Sequence, residues 1–351
     1  MNRHLQVAFQ LLDERVRDHL KRILGCLLLA ILMAQGSAID LSNAMASSDS
    51  YQTRLTDLVS YLVSHFNPQV GLIYESEDQG IHWLKRVEFP SYHWHYNQTF
   101  WIYSDNLFAM YALEPWRPDI ANMINETFRR YDLPFSNRFE AVIGTPIGND
   151  RTARDLIINQ TKNWAILIRI HNGTYANPLN HFADEMIYQA LTNYYTGSIY
   201  LARMLVLSVY RMWNGTCLVD YGVMQSVLSP QNAPSDIQFC MNMKLALLLY
   251  ASEVIGVKLP DFTQLEEHLW NMQKENGGIT TLSTGHGIPT GTANAETSAL
   301  TLLLYNVKLI GRLSDMWNRS FVFFYDCLFR TLIQTWESSS RRFSISINFL
   351  W

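Results

Sequence analysis

From Tyr51 onward the apolar positions fall at steps of three and four. Leu55, Leu58, Val59, Leu62, Val63 and Phe66 trace one stripe, which predicts an amphipathic helix over 51–66 with one face on a core. "RPDIANMINETFRRY" repeats the pattern through Ile120, Met123, Ile124, Phe128 and Tyr131, leaving Asn125 on the wet side. Four other segments are apolar nearly all round: "NLFAMYAL" (106–113), "MIYQALTNYY" (186–195), "CMNMKLALLLYA" (240–251) and "TSALTLLLYNV" (297–307). Helices of that kind are buried on most sides. Each precedes a short break, "EPWRP", "YYTGS", "GVKLP" or "GRLSD", rich in the Pro and Gly that stop helices. Amphipathic partners then begin near Pro118, Ser198, Asp261 and Ser314.

The pattern amounts to four helical hairpins, inner helix then outer, behind a leading outer-type helix. The links between them are long, about 67–103, 132–180, 214–235 and 275–293. Connections of that length carry function or small structure of their own, and "FEAVIG", "LIIN" and "WAILIRI" predict short strands in the second. Inner helices start near residues 104, 181, 236 and 294. Units that cannot bury their faces alone stack side by side. With the inner helices parallel, every long loop comes to one end and every short turn to the other. The expected fold class is all-α: an α/α toroid, an incomplete barrel of about four hairpins plus one leading helix, with short β segments in the long loops.

One stretch adds a resemblance. "QKENGGITTLSTGHGIPTGTANAETSALTLLL" (273–304) resembles the Q-x-x-x-G-G loop and [DE]-T-[AS] helix start that recur in the α/α toroids of terpenoid cyclases, prenyltransferases and thioester proteins. Gln273, Gly277 and Gly278 match the loop; Glu296, Thr297 and Ser298 match the helix start. "GLIYES" with "WIYSDNLFAMYAL" is similar to exported, predominantly archaeal proteins of this shape. Six-hairpin glycosidases and several polysaccharide lyases use such a barrel, so the resemblance extends to carbohydrate chemistry by analogy. The motifs of the lipid enzymes do not carry over: there is no D-x-D-D cluster, no C-G-E-Q thioester and no zinc set.

Composition narrows the functional classes. The chain has 351 residues, 48% hydrophobic and 17% charged, with a net charge of -4. Its Lys and Arg are spread thinly, so no electrostatic footprint for nucleic acid exists. Lys21 and Arg22 precede the apolar run "ILGCLLLAILMA" (23–34), and Gly36 and Ala38 supply small residues for cleavage. Residues 1–38 therefore read as a signal peptide or N-terminal membrane anchor, the chain's one expected membrane contact. Residues 39–337 are the toroid domain and 338–351 a C-terminal tail. Six N-x-[ST] sequons, at Asn97, Asn125, Asn159, Asn172, Asn214 and Asn318, agree with export. The expected location is extracytoplasmic, secreted or held on the outer face of the cell membrane. Cys217 and Cys240 flank one loop, and two readings stand: a disulfide in an oxidising compartment, or buried free thiols.

Candidate chemistry gathers at the helix starts. Asp105, the pair Asp184 and Glu185, Asp236 and Glu296 each open an inner helix, and Glu75 and Asp220 lie in the adjoining loops. Paired carboxylates across a cleft perform glycoside hydrolysis, one protonating the leaving oxygen while the other activates water or attacks. On that reading Asp105 and Glu296 are catalytic, with Glu75 or Glu185 as partners. The plain alternative is capping, since acids at helix starts are favoured by about 0.3–1 kcal/mol. Ser104 reads as an N-cap with Asp105 just inside the helix. Trp94, Trp101 and Tyr103 form a candidate glycan platform, Trp94 and Trp101 being the expected exposed pair. His93 and His95 share one face if extended; they read as loop residues, His95 contacting ligand, with neither metal nor cofactor expected. Asp220 and His286, the latter in "STGHGIPTG", complete the candidate ligand contacts, and His181 lies in a neighbouring segment. Three functional readings follow: a glycan-binding surface protein, a carbohydrate-active hydrolase or lyase, and a structural component of the cell envelope. In each the partner is a glycan or an envelope component.

Overall fold

The computed structural model describes residues 49–76, 99–131, 138–146, 153–160, 164–171, 182–220 and 239–316. It is mostly helical, with short β segments between the helices. Helix α1 (Asp49–Ser64) buries Leu55, Leu58 and Leu62, so the leading stripe packs as its spacing predicts. Phe66 leaves the helix and enters β1 (Phe66–Asn67), which pairs antiparallel with β2 (Leu72–Ile73). Strand β3 (Thr99–Ile102) leads into α2 (Tyr103–Leu113), and α3 (Pro118–Arg130) follows. Pro118 opens α3 where a missing N–H costs nothing. Ile120, Ile124 and Phe128 are buried on that helix while Asn125 is half-exposed.

The second long link holds β4 (Ala153–Gln160) and β5 (Trp164–His171), an antiparallel pair to which β3 adds in parallel. "FEAVIG" is not a strand: residues Arg138–Ile143 form a 3-10 turn packed against α2 and α4. Phe139, Glu140, Ala141 and Val142 are all buried there. Four consecutive buried side chains need contact on every side, which the alternating faces of a strand lying on one core cannot give. Helices α4 (Ala183–Tyr195) and α5 (Ile199–Tyr210) form the next hairpin. Strand β6 (Phe239–Met241) enters α6 (Asn242–Ile255), and α7 (Phe262–Trp270) returns. Strands β7 (Thr280–Thr284) and β8 (Pro289–Ala293) extend β6 into a three-stranded antiparallel sheet before α8 (Ala295–Leu303).

A last helix, α9, begins at 307 and is described to 316. The break therefore precedes "GRLSD" instead of falling on it, and α8 stops at Leu303. Asn306 explains the difference: its Oδ1 accepts the Leu309 N–H at 2.9 Å, an N-cap. Leu309, Ile310 and Leu313 then bury one face across Gly311.

Helices α2, α8, α6 and α4 pack on one another in that order, and each carries an outer partner: α3 on α2, α1 on α8, α7 on α6 and α5 on α4. Hydrogen bonds set their direction. At one end, Asn306 Nδ2 donates to Tyr111 O at 2.7 Å, Ser314 Oγ to Val254 O at 3.0 Å and Tyr194 OH to Ser314 O at 2.9 Å. Helix α9 thus joins the trailing ends of α2, α6 and α4. At the other end, Asn242 Nδ2 donates to Thr280 O at 2.9 Å, Asn294 N to Ile279 O at 3.2 Å and Ala295 N to Glu75 O at 2.6 Å. The leading turns are therefore neighbours.

The glycine loop fastens α1 to this array. Gln273 Nε2 donates to Arg54 O and Gly277 O, both at 2.8 Å. Gly277 has φ +88°, and a Cβ there would stand 2.3 Å from Asp57 O; a Cβ on Gly278 would meet Tyr61 and Ala293. The first glycine supplies a left-handed turn and the second supplies room. Gly277→Ala is expected to lower the free energy of urea unfolding by about 2–5 kcal/mol, through left-handed strain and overpacking together. Gly256→Ala, at φ +68° in open space, is expected to cost only about 1–2 kcal/mol.

Candidate functional site

Asp105 stands in the first turn of α2, Glu296 in the first turn of α8, and Glu75 two residues past β2. Adjacent parallel helices bring the first two together; a pair of backbone clamps adds the third. On one side Asn106, fully buried, accepts the Ile73 N–H on Oδ1 at 2.7 Å and donates from Nδ2 to Ile73 O at 2.8 Å and Ile102 O at 3.0 Å. On the other, Ala295 N reaches Glu75 O and Ser76 bridges to Asn294. Glu75 is held between the starts of α2 and α8.

The electrostatics follow from that convergence. Asp105 is 2% exposed, and burial pushes its carboxyl well above the usual carboxylate range, with Glu296 and then Glu75 pushing the same way. A buried acid beside like charges keeps its proton. The Ser104 hydroxyl acts in the opposite sense, donating to Asp105 Oδ1 at 3.1 Å. Asp105 Oδ2 is buried and has no hydrogen-bond partner among the described residues.

Neither acid is the N-cap of its helix, although both stand in first turns and Asp105 accepts its own backbone N–H. The residue before α2 is Ile102, with no side-chain cap, so Ser104 lies inside the helix and spends its hydroxyl on Asp105. At α8 the cap is Asn294, whose Oδ1 accepts the Thr297 N–H at 3.0 Å. Glu185 is buried in the first turn of α4, and the charges that act on Asp105 do not include it.

The starts of α4 and α6 carry a different solution. Asp220 Oδ2 accepts the Ala183 N–H at 2.8 Å and pairs with Lys244 Nζ at 2.5 Å, while Asp184 approaches the same ammonium at 3.6 Å. Asp220 is therefore a buried structural partner and not a ligand contact. Loss of one member of such a pair costs about 3–5 kcal/mol. The Cys217–Cys240 disulfide joins the segments that deliver Asp220 and Lys244.

Other predicted contacts are corrected too. Trp101 is 2% exposed, not a surface platform, and Tyr103 is 1% exposed, donating its hydroxyl to Glu140 Oε1 at 2.7 Å. The loose aromatic alternation cannot distinguish a platform from a core, since stacking on sugar and stacking on protein use the same rings. His286 is exposed in the turn between β7 and β8. The five residues of β8 put roughly 17 Å of chain between that turn and Asn294, so it does not join the carboxylates. Glu140, Lys244, Asn106 and Asn294 were not anticipated. Glu140 was hidden by the strand reading of "FEAVIG", and Lys244 by a largely apolar run; Asn294 stood two residues before the matched Glu296.

Asn214 is exposed, and its Oδ1 accepts from Thr216 N and Oγ1, both at 2.9 Å. Asn159 sits in β4. Trp94, His93, His95, Asp236, His181, Asn97, Asn172 and Asn318 lie outside the described residues. Among the described residues, no group of three or more His, Cys, Asp and Glu is placed to hold a metal ion, and no helix is long and apolar enough to cross a membrane. Compared with family models, curated proteins and solved structures, the chain has no match.

The raised Asp105 carboxyl makes a signed prediction. A group whose folded-state pKa lies above its unfolded value stabilises the fold below the unfolded value, near 4, and loses that contribution as pH rises through the folded value. Asp105→Asn, which cannot ionise, should therefore be more stable than wild type at pH 8, with the gap closing toward pH 4. Urea unfolding at both pH values checks this.

Proposed function

We propose that the chain is an exported, glycosylated carbohydrate-active protein whose inner helices form an α/α toroid, with Asp105 as the acid of its site. The observation that carries this is the buried Asp105 carboxyl, its pKa raised by burial, by Glu296 at the start of the neighbouring helix and by Glu75 in the segment after β2. The packing order α2, α8, α6, α4, with the 3-10 turn between α4 and α2, supports the toroid arrangement. Glycoside hydrolysis needs one carboxyl protonated near neutral pH and one ionised. Asp105 donates its proton to the glycosidic oxygen as that bond breaks. Glu296 or Glu75 either takes a proton from the water that attacks the sugar carbon, or attacks that carbon itself to form a glycosyl ester that water then hydrolyses, Asp105 recovering its proton from that water. The sequons and the apolar leader support location outside the cytoplasm.

A second reading, a glycan-binding or structural envelope protein without chemistry, draws on the burial of Asp105 itself, as closed as Trp101, Tyr103 and Asp220, whose burial removes three predicted ligand contacts. A reducing-end assay on a panel of neutral and acidic glycans, with the full chain and its Asp105→Asn and Glu296→Gln variants, separates the readings. Catalysis predicts turnover by wild type and a fall of about 100-fold or more in each variant, with glycan affinity held within a few-fold. Binding without turnover in all three would leave the binding protein; neither binding nor turnover would leave the structural one.

A further inference from the structure

We infer that Ser104 is a positioning residue for the Asp105 acid, occupying Oδ1 so that the proton resides on, and is delivered from, Oδ2. This rests on the reading of Asp105 as proton donor, and assigns which of its oxygens donates and what sets its readiness to do so.

A carboxyl has two oxygens, and only one carries the acid proton. The Ser104 Oγ–H donates to Oδ1 at 3.1 Å. Ser104 is itself 5% exposed, so water does not compete freely for its hydroxyl. An oxygen accepting that bond is the poorer place for a proton, because a proton there would face the serine hydrogen. Oδ2 is buried with no hydrogen-bond partner among the described residues. An unbonded buried oxygen is costly for a carboxylate and far less so for a carboxylic acid. The arrangement therefore selects one tautomer.

The same bond tunes the group. Burial, Glu296 from α8 and Glu75 from the segment after β2 all hold the proton on; Ser104 and the acid's own backbone N–H, both on the acid's own helix, favour its release. Removing the serine hydroxyl takes away the larger of these two counterweights. Ser104 is adjacent in sequence, so the counterweight is fixed by the helix that carries the acid.

The test is a carboxyl titration of the full chain, labelled with 13C at Asp side chains and at Ser Cβ, using Asp105→Asn to assign the resonance. In wild type, Asp105 Cγ should titrate above the usual carboxylate range, and the Ser104 Cβ resonance should move with the same midpoint. Ser104→Ala should raise that midpoint by about half to one pH unit, the equivalent of one hydrogen bond. Ser104→Thr, which keeps a hydroxyl, should restore it. An unmoved or lowered midpoint in Ser104→Ala, or a Ser104→Thr midpoint equal to that of Ser104→Ala, overturns the assignment. If Ser104→Ala does not fold, a wild-type Ser104 resonance indifferent to the Asp105 midpoint overturns it equally. Turnover measured beside the titration separates the two ideas: a chain without activity but with coupled Ser104 and Asp105 resonances refutes the enzyme and leaves the proton assignment standing.

Discussion

A helix with no exposed face must be covered on nearly all sides, and the described residues include four. Buried almost throughout, α2, α8, α6 and α4 cover one another and leave only their outer flanks to the amphipathic partners. Because the trailing ends share contacts with α9, the leading turns lie together at the other end. Whatever side chains those turns carry are forced into company. Here they carry acids, and the electrostatics of the candidate site is a consequence of how the core is packed.

The fold answers that crowding in two ways. At α4 and α6, Lys244 stands between Asp220 and Asp184, and Asp220 also satisfies a backbone N–H at the start of α4. Lys244 offsets one of the two negative charges, and the group is structural. At α2 and α8, Asp105 meets two more carboxylates and a serine hydroxyl. Like charges in a buried place relieve their repulsion by keeping a proton. One half of the end is thus set by an ion pair, and the other carries a carboxyl whose pKa burial and like charges raise. That asymmetry is what supports the proposal of chemistry at Asp105, since acids at helix starts alone support only helix stability.

Much of the helical frame could be read from periodicity, because three- and four-residue stripes and all-apolar runs report burial directly. The outer stripes of α1 and α3 lie almost wholly in helices, as do the four buried runs apart from Cys240 and Met241, which belong to β6, and the turn after Leu303. The misreadings fall where local pattern and tertiary packing disagree. "FEAVIG" has strand composition, yet its place between α2 and α4 requires every side chain to be covered. "GRLSD" contains a glycine but is carried through by the Asn306 cap one turn earlier. The convergence of Asp105, Glu296 and Glu75 was legible once the inner helices were taken as parallel, since each acid stood at a helix start or in the adjoining loop. The fate of Asp220 was not, because its partner Lys244 looks in sequence like a lone polar residue in an apolar run. Trp101 and Tyr103 were equally opaque, an aromatic side chain having the same signature in a core as on a platform.

The direction of neighbouring inner helices is the premise beneath all of this, and distances between spin labels measure it. Phe182 and Thr196 are exposed at the two ends of α4, and Lys258 is exposed just past the end of α6. Helix α4 has 13 residues, about 20 Å of axis. Electron–electron double resonance should give a shorter distance for labels at 196 and 258 than at 182 and 258. If the pair 182 and 258 proves the shorter, α4 and α6 run in opposite directions, and acids at successive helix starts would lie at opposite ends of the molecule.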